Sequence, residues 1–223
     1  MKRKIYLASA IILFGLFFLF TAIITNIDVQ AIGPNGSEVG LATVNGAFAD
    51  AVGYNDLWYN ISELAGLIPL AMAGCFALLG LCQAIKRKSL FKVDSHLFVL
   101  AGFYAAVLAA YVAFEIVEIN FRPVLMGGVL EASYPSSHTM LSLCICTTAI
   151  FELHELIKSK KALLIVADVF CAAIALTVLL GRALSGVHWL TDIVAGMLIS
   201  ASLICLYRFF VLLIQSKQHT KES

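Results

Sequence analysis

Six apolar runs, each long enough to cross a lipid bilayer, constrain this chain more than any other feature. They cover about 5–25, 57–85, 96–119, 137–157, 162–181 and 188–214. At 1.5 Å per residue the fifth run spans about 30 Å, the thickness of a bilayer's hydrocarbon core. Lipid offers no hydrogen bonds, so each run must satisfy its own backbone, and helices do this. The expectation is an all-α fold: a six-transmembrane-helix bundle in a single domain, 1–223. With 61% hydrophobic and 13% charged residues, a soluble domain of this length is excluded. The net charge of +1 gives no electrostatic case for nucleic acid. The basic start, Met1-Lys2-Arg3-Lys4, precedes a run too long for a signal-peptide core and without a clean cleavage site. It reads as a retained membrane helix. Residues 26–56 are rich in Gly, Asn and Asp, and 40–52 is weakly amphipathic, predicting a short helix on the membrane face. The six cysteines all fall inside apolar runs with no Cys-x-x-Cys and read as packing residues.

The basic residues orient the bundle. With six spans, both termini share a side, and thirteen of the fifteen Lys and Arg residues fall on it. The positive-inside rule makes that side cytoplasmic. The expectation is a multi-pass cell-membrane protein with both termini cytoplasmic. Arg122 and Arg182 are the exceptions, at the outer face. His138 and His188 begin spans four and six at that same face. His96 and His154 lie near the opposite ends and His219 lies in the tail; these three read as solvated or interfacial. Ionisable groups converging on one end of a membrane bundle point to a functional site.

The segment from Gly181 to Asp192 carries the densest chemistry. His188 and Asp192 are four apart, so on a helix they share one face. A carboxylate there holds the imidazole in one tautomer, as a positioned base or nucleophile. Arg182, read as lying in the turn before, offers a permanent fork of donors suited to phosphate. The set suggests phosphoryl chemistry; the alternative is a His–Asp pair beside an arginine reaching for the membrane surface. Pro135, Ser136 and Ser137 open the fourth span, where free helix amides bind phosphate. The alternative for either serine alone is a simple N-cap.

Three segments together resemble the motifs of the type 2 phosphatidic acid phosphatase superfamily: Lys-x6-Arg-Pro, Pro-Ser-Gly-His and Ser-Arg-x5-His-x3-Asp. The first is matched at Arg122 and Pro123, with Glu115 at the Lys position. The second is matched at Pro135, Ser136 and His138, with Ser137 for Gly. The third is matched at Arg182, His188 and Asp192, with Gly181 for Ser. The resemblance implies a membrane-integral lipid phosphate phosphatase with its site at the extracytoplasmic face. His188 would attack phosphorus and form a phosphohistidine, Asp192 would orient it, and His138 would protonate the leaving oxygen and then activate water. Arg122, Arg182, Ser136, the amides near Ser137 and, beside them, Pro123 would form the substrate-binding set. It implies no cofactor and no metal. His154 begins a His-Glu-x-x pattern with Lys158 where a zinc site needs a second His. The implied partner is a lipid phosphate or pyrophosphate: an isoprenoid diphosphate, phosphatidic acid or phosphatidylglycerol phosphate. Two other functions stay open, a non-catalytic lipid-binding or transport protein that kept the pocket and a phosphotransferase to an alcohol. Glu115 is expected to pair with Arg122 or Arg182 and shape the pocket, or to stay protonated and donate to substrate. Glu118 carries the same ambiguity, and Asp168 is expected to be a helix–helix contact.

Overall fold

The computed structural model describes residues 2–222, with side chains through Lys217. His219 therefore lies outside the described side chains. Among the described residues seven α-helices follow one another: α1 Lys2–Asn26, α2 Ala42–Val52, α3 Asp56–Lys86, α4 Ser95–Ile116, α5 Ser137–Leu156, α6 Lys161–Leu184 and α7 Leu190–Glu222. All but the short α2 are long and apolar enough to cross a membrane. α2 is the helix expected within 40–52. No strand forms among the described residues; pairing is limited to isolated antiparallel bridges, Gln30 with Val39, Phe121 with Ala132 and Met126 with Val129.

α5 is the central helix. Half of its most apolar stretch is buried inside the protein, against 6% for α3. It packs against α3, α4, α6 and α7, while α1 lies along α7. Phe17 and Ile24 of α1 meet Met140 and Cys144 of α5 and Leu203 and Tyr207 of α7 in one apolar core. Outward positions such as Ile11, Leu64, Leu67 and Val166 remain uncovered by protein, as side chains facing lipid should. Arg3 donates to Ser216, so the start of α1 and the end of α7 share one end of the bundle. Near the other end Thr21 and Tyr134 share a 2.6 Å hydrogen bond.

Three helix limits near the candidate residues differ from the apolar runs. α6 continues to Leu184, so Arg182 sits in its last turn rather than in a turn between spans. The helix stops where Gly186, at φ +68°, takes the left-handed conformation that ends helices without a Cβ penalty. α7 starts at Leu190, so His188 precedes it. The Asp192 carboxylate reaches back to accept the Trp189 N–H at 3.0 Å, a capping contact that sets the first turn. α4 ends at Ile116, short of 119, and the chain enters a small hairpin. Its tip is Gly127-Gly128, at φ +60° and +83°, with Met126 and Val129 exchanging both backbone bonds at 3.0 Å. Two consecutive left-handed residues suit the twist of a tight hairpin.

His96, expected to be solvated or interfacial, is partly exposed at the start of α4. Its Nδ1 lies against Glu152, which is 1% exposed and also accepts from the Tyr207 hydroxyl. A buried carboxylate needs such partners. His154 pairs with Asp168 at 2.9 Å, the α5–α6 contact expected of Asp168. All six cysteines are free thiols, with Cys144, Cys146 and Cys171 buried.

Candidate active site

The candidate residues gather at the end of the bundle away from the termini. They come from the start of α3, the hairpin after α4, the first turn of α5, the last turn of α6 and the turn before α7. Asn55 caps α3, accepting the Trp58 N–H at 3.1 Å, and its own N–H donates to the Ser185 carbonyl at 3.0 Å. That bond ties the start of α3 to the α6–α7 turn. Gly186 makes the approach possible: a Cβ there would stand 2.0 Å from the Gly53 carbonyl oxygen. Asn45 of α2 holds the start of α7, donating to Thr191 Oγ1 at 2.9 Å and accepting the Thr191 N–H at 3.2 Å.

Arg182 is fully buried at a helix C-terminus, where the dipole favours a cation. Its guanidinium donates one N–H to Glu63 and lies over the Tyr59 ring at 5.4 Å. Tyr59 and Glu63 are one turn apart on α3, so one helix face holds the arginine. The Nε and one terminal nitrogen of Arg182 are buried without a protein partner. Arg122 stands on the hairpin, its Nε 3.0 Å from Glu131 Oε2 on the opposite arm. It too keeps a buried terminal nitrogen unpartnered. Buried donors are nearly always satisfied, so these nitrogens mark where an anion would sit.

His188 Nδ1 lies 3.6 Å from Asp192 Oδ2. The carboxylate is fixed on both oxygens, by the Trp189 N–H and by Asn120 Nδ2 at 3.1 Å. With Nδ1 turned to Asp192, Nε2 is the nitrogen left for chemistry. Burial holds the His188 pKa below the usual imidazole value; Asp192 pulls it back up, and the charge of Arg122 pushes it down. The Asp192 carbonyl accepts the Ser136 N–H at 2.9 Å, joining the start of α5 to the start of α7. Ser136 Oγ is buried and unpartnered. The amides of Ser137, His138 and Thr139 lie in the first turn of α5, where the helix itself offers no acceptor. His138 Nε2 is 3.4 Å from Glu63 Oε2. Gly66, a turn beyond Glu63, leaves room for the ring: a Cβ there would come within 3.0 Å of His138 Cδ2.

Two cavities meet here. A small one has Glu115, Arg122, Ser137 and His188 in its wall. A cleft of about 350 Å³ between α3, α4 and α5 has Glu63, Ser137 and His138 at its polar end and Leu67, Leu70, Leu108 and Leu141 beyond. Arg122, Ser136, Ser137, His138, Arg182, His188 and Asp192 are thus brought together as expected. Pro123 is not; it lines an outer cleft with Gly186 and Trp189. Glu115 reaches the pocket wall, but neither arginine pairs with it: Arg182 takes Glu63 and Arg122 takes Glu131. The end of α4 at Ile116 breaks the helical register that would have aligned Glu115 with Arg122. Glu63 was missed in the sequence, although it is the only charged residue in the second apolar run, itself a signal of function. Among the described residues no group of three His, Cys, Asp or Glu side chains stands together as a metal site.

Comparison with known proteins bears on the family and the fold. The family model of the PAP2 superfamily matches residues 70–215, the stretch from mid-α3 into α7. No curated protein matches the chain. Among solved structures, the fold is similar to the crystal structure described as the first transmembrane PAP2 type phosphatidylglycerolphosphate phosphatase, from Bacillus subtilis. The identity is 22% and the TM-score 0.62, over 92% of this chain and 97% of that one. The chain belongs to the PAP2 superfamily, with the fold of its membrane-integral phosphatases.

Proposed function

We propose that this protein hydrolyses a lipid phosphate through a phosphohistidine intermediate on His188. The observation that carries the reading is the pairing of a buried His188–Asp192 dyad with unpartnered donors on Arg122, Arg182 and Ser136. In the first step His188 Nε2 forms a bond to phosphorus as the ester P–O bond breaks, and His138 gives its proton to the leaving oxygen. Asp192 stabilises the imidazolium. Arg122, Arg182, Ser136 Oγ and the first amides of α5 hold the equatorial oxygens as charge shifts onto them. In the second step water gives a proton to His138 and attacks phosphorus, the P–N bond breaks, and inorganic phosphate leaves. The apolar cleft beside His138 suits the lipid portion of the leaving group. The arginines supply the positive charge in this scheme, so turnover is expected to survive a chelator.

The test is phosphate release from a panel of lipid phosphates by purified protein. His188→Ala is expected to lose at least a thousandfold in kcat while keeping the parent's elution and melting behaviour. His138→Ala is expected to be slow on lipid esters and partly rescued by a substrate with an activated leaving group, which needs no protonation. A His188→Ala protein as active as the parent, or turnover that needs added divalent metal, would overturn the scheme. Phosphate passed to an alcohol in preference to water would make the protein a phosphotransferase.

A further inference from the structure

Glu63 lies outside all three motifs, yet it touches two of the residues they contribute. One carboxylate oxygen takes an Arg182 N–H, and the other lies 3.4 Å from His138 Nε2. It stands at the polar end of the apolar cleft, where the proposed reaction puts the leaving-group oxygen. We infer that Glu63 is a specificity-determining residue that restricts this site to phosphomonoesters with an uncharged leaving group, against lipid diphosphates. The inference rests on the phosphatase reading and sharpens its substrate class.

The charges around the site support it. Two cations face the phosphate, Arg122 and Arg182, and each already carries a carboxylate, Glu131 and Glu63. Glu115 stands in the same pocket wall, and Asp192 serves His188. The lysines flank the other ends of the helices or lie in the terminal segments, none between 93 and 157. One phosphoryl group can take the free Nε and terminal nitrogen of Arg182 and the free nitrogen of Arg122. Among the described residues, the walls of the two cavities hold no further lysine or arginine to take a second phosphate. In a diphosphate the leaving group is itself a lipid monophosphate, an anion placed against Glu63, and the Arg182 nitrogen nearest to it is occupied by that carboxylate. In a monoester the leaving group is an alcohol, neutral once His138 has protonated it, and its neighbouring hydroxyls can donate to Glu63.

The experiment compares the monophosphate and the diphosphate of one long-chain alcohol, on the full-length protein in detergent. The parent is expected to favour the monophosphate at least tenfold in kcat/KM. Glu63→Gln keeps an oxygen to accept from Arg182 but removes the charge. It is expected to shrink the preference at least tenfold, with diphosphate kcat/KM rising in absolute terms. Glu63→Asp, which restores the charge, is expected to keep the parent's preference. A parent that favours the diphosphate, or a Glu63→Gln protein that slows on both substrates equally, overturns the inference while leaving the phosphatase reading intact. If the parent releases phosphate from neither lipid, binding of the inorganic anions decides about Glu63, and the phosphatase reading fails only if the whole panel of lipid phosphates is also inert. Tighter binding of phosphate than of pyrophosphate, with the gap closing in Glu63→Gln, supports it. Equal binding, or tighter pyrophosphate binding, overturns it.

Discussion

His188 shows how burial prepares a side chain for one task. It is 2% exposed, and the cost of charging it there keeps its pKa below the ordinary 6.5. At neutral pH the ring is therefore uncharged and holds a lone pair on Nε2. The sign follows: protonation removes the nucleophile, and it sets in only below 6.5. The rate of phosphohistidine formation, followed by single turnover and corrected for the substrate's own ionisation, is expected to stay level as pH falls through 6.5 and to drop below it. A limb centred at or above 6.5 would contradict a buried neutral nucleophile. The His188–Asp192 pair was legible in the four-residue spacing, although the geometry behind it is different. The two do not share a helix face; Asp192 reaches back from the first turn of α7. Glu63 was legible only as an isolated charge. Its partner Arg182 is 119 positions away, and nothing in the local pattern says which cation folds against it. Glu131 escaped for a similar reason, since its pairing with Arg122 depends on a hairpin that two glycines make.

At the level of elements, the apolar runs gave the six spanning helices, and local contacts gave several of their ends. Those contacts depend on single residues: Gly186 stops α6 and Asp192 starts α7, while the chain leaves α4 at Ile116 for a hairpin that turns at Gly127-Gly128. The departure at Gly181, where the resembling family carries Ser, has its explanation in helix packing. A Cβ at Gly181 would lie 2.7 Å from the Ser62 Cβ on α3 and 3.4 Å from the Trp58 carbonyl oxygen. The missing side chain lets α3 approach α6 closely enough for Glu63, the next residue along, to reach Arg182. Gly181→Ser is therefore expected to destabilise the protein by about 1–3 kcal/mol through overpacking. Ser62→Gly removes the obstructing Cβ. Although glycine inside a helix costs about 1 kcal/mol by itself, the double variant should be more stable than the two single effects predict. Unfolding of the four proteins in one detergent measures the coupling. Additive effects would mean that the α3–α6 contact yields without strain and that the glycine is incidental.

Across the molecule, the distribution of basic residues sets which way the bundle is expected to face. The structure places both termini at one end and the site residues at the other. The basic residues sort along the same axis: Lys2, Arg3 and Lys4, the 86–92 group, and Lys158, Lys160 and Lys161 lie at the terminal end, and Arg122 and Arg182 at the site end. Insertion holds short basic loops in the cytoplasm, so the site is expected to open outward, where it meets the head groups of the outer leaflet. The two exceptions do not weaken the rule, because both are neutralised in place, by Glu131 and Glu63. A test needs one position on each loop set. Glu38, between α1 and α2, and Ser159, between α5 and α6, are both exposed and outside the spans. The native thiols all lie within the spans, out of reach of a water-soluble, membrane-impermeant maleimide, and the parent protein supplies the background. In intact cells Glu38→Cys is expected to be labelled and Ser159→Cys to stay unlabelled until the membrane is opened. The reverse pattern would put the site on the cytoplasmic face and require the arginine pairs, rather than the lysine clusters, to have set the orientation.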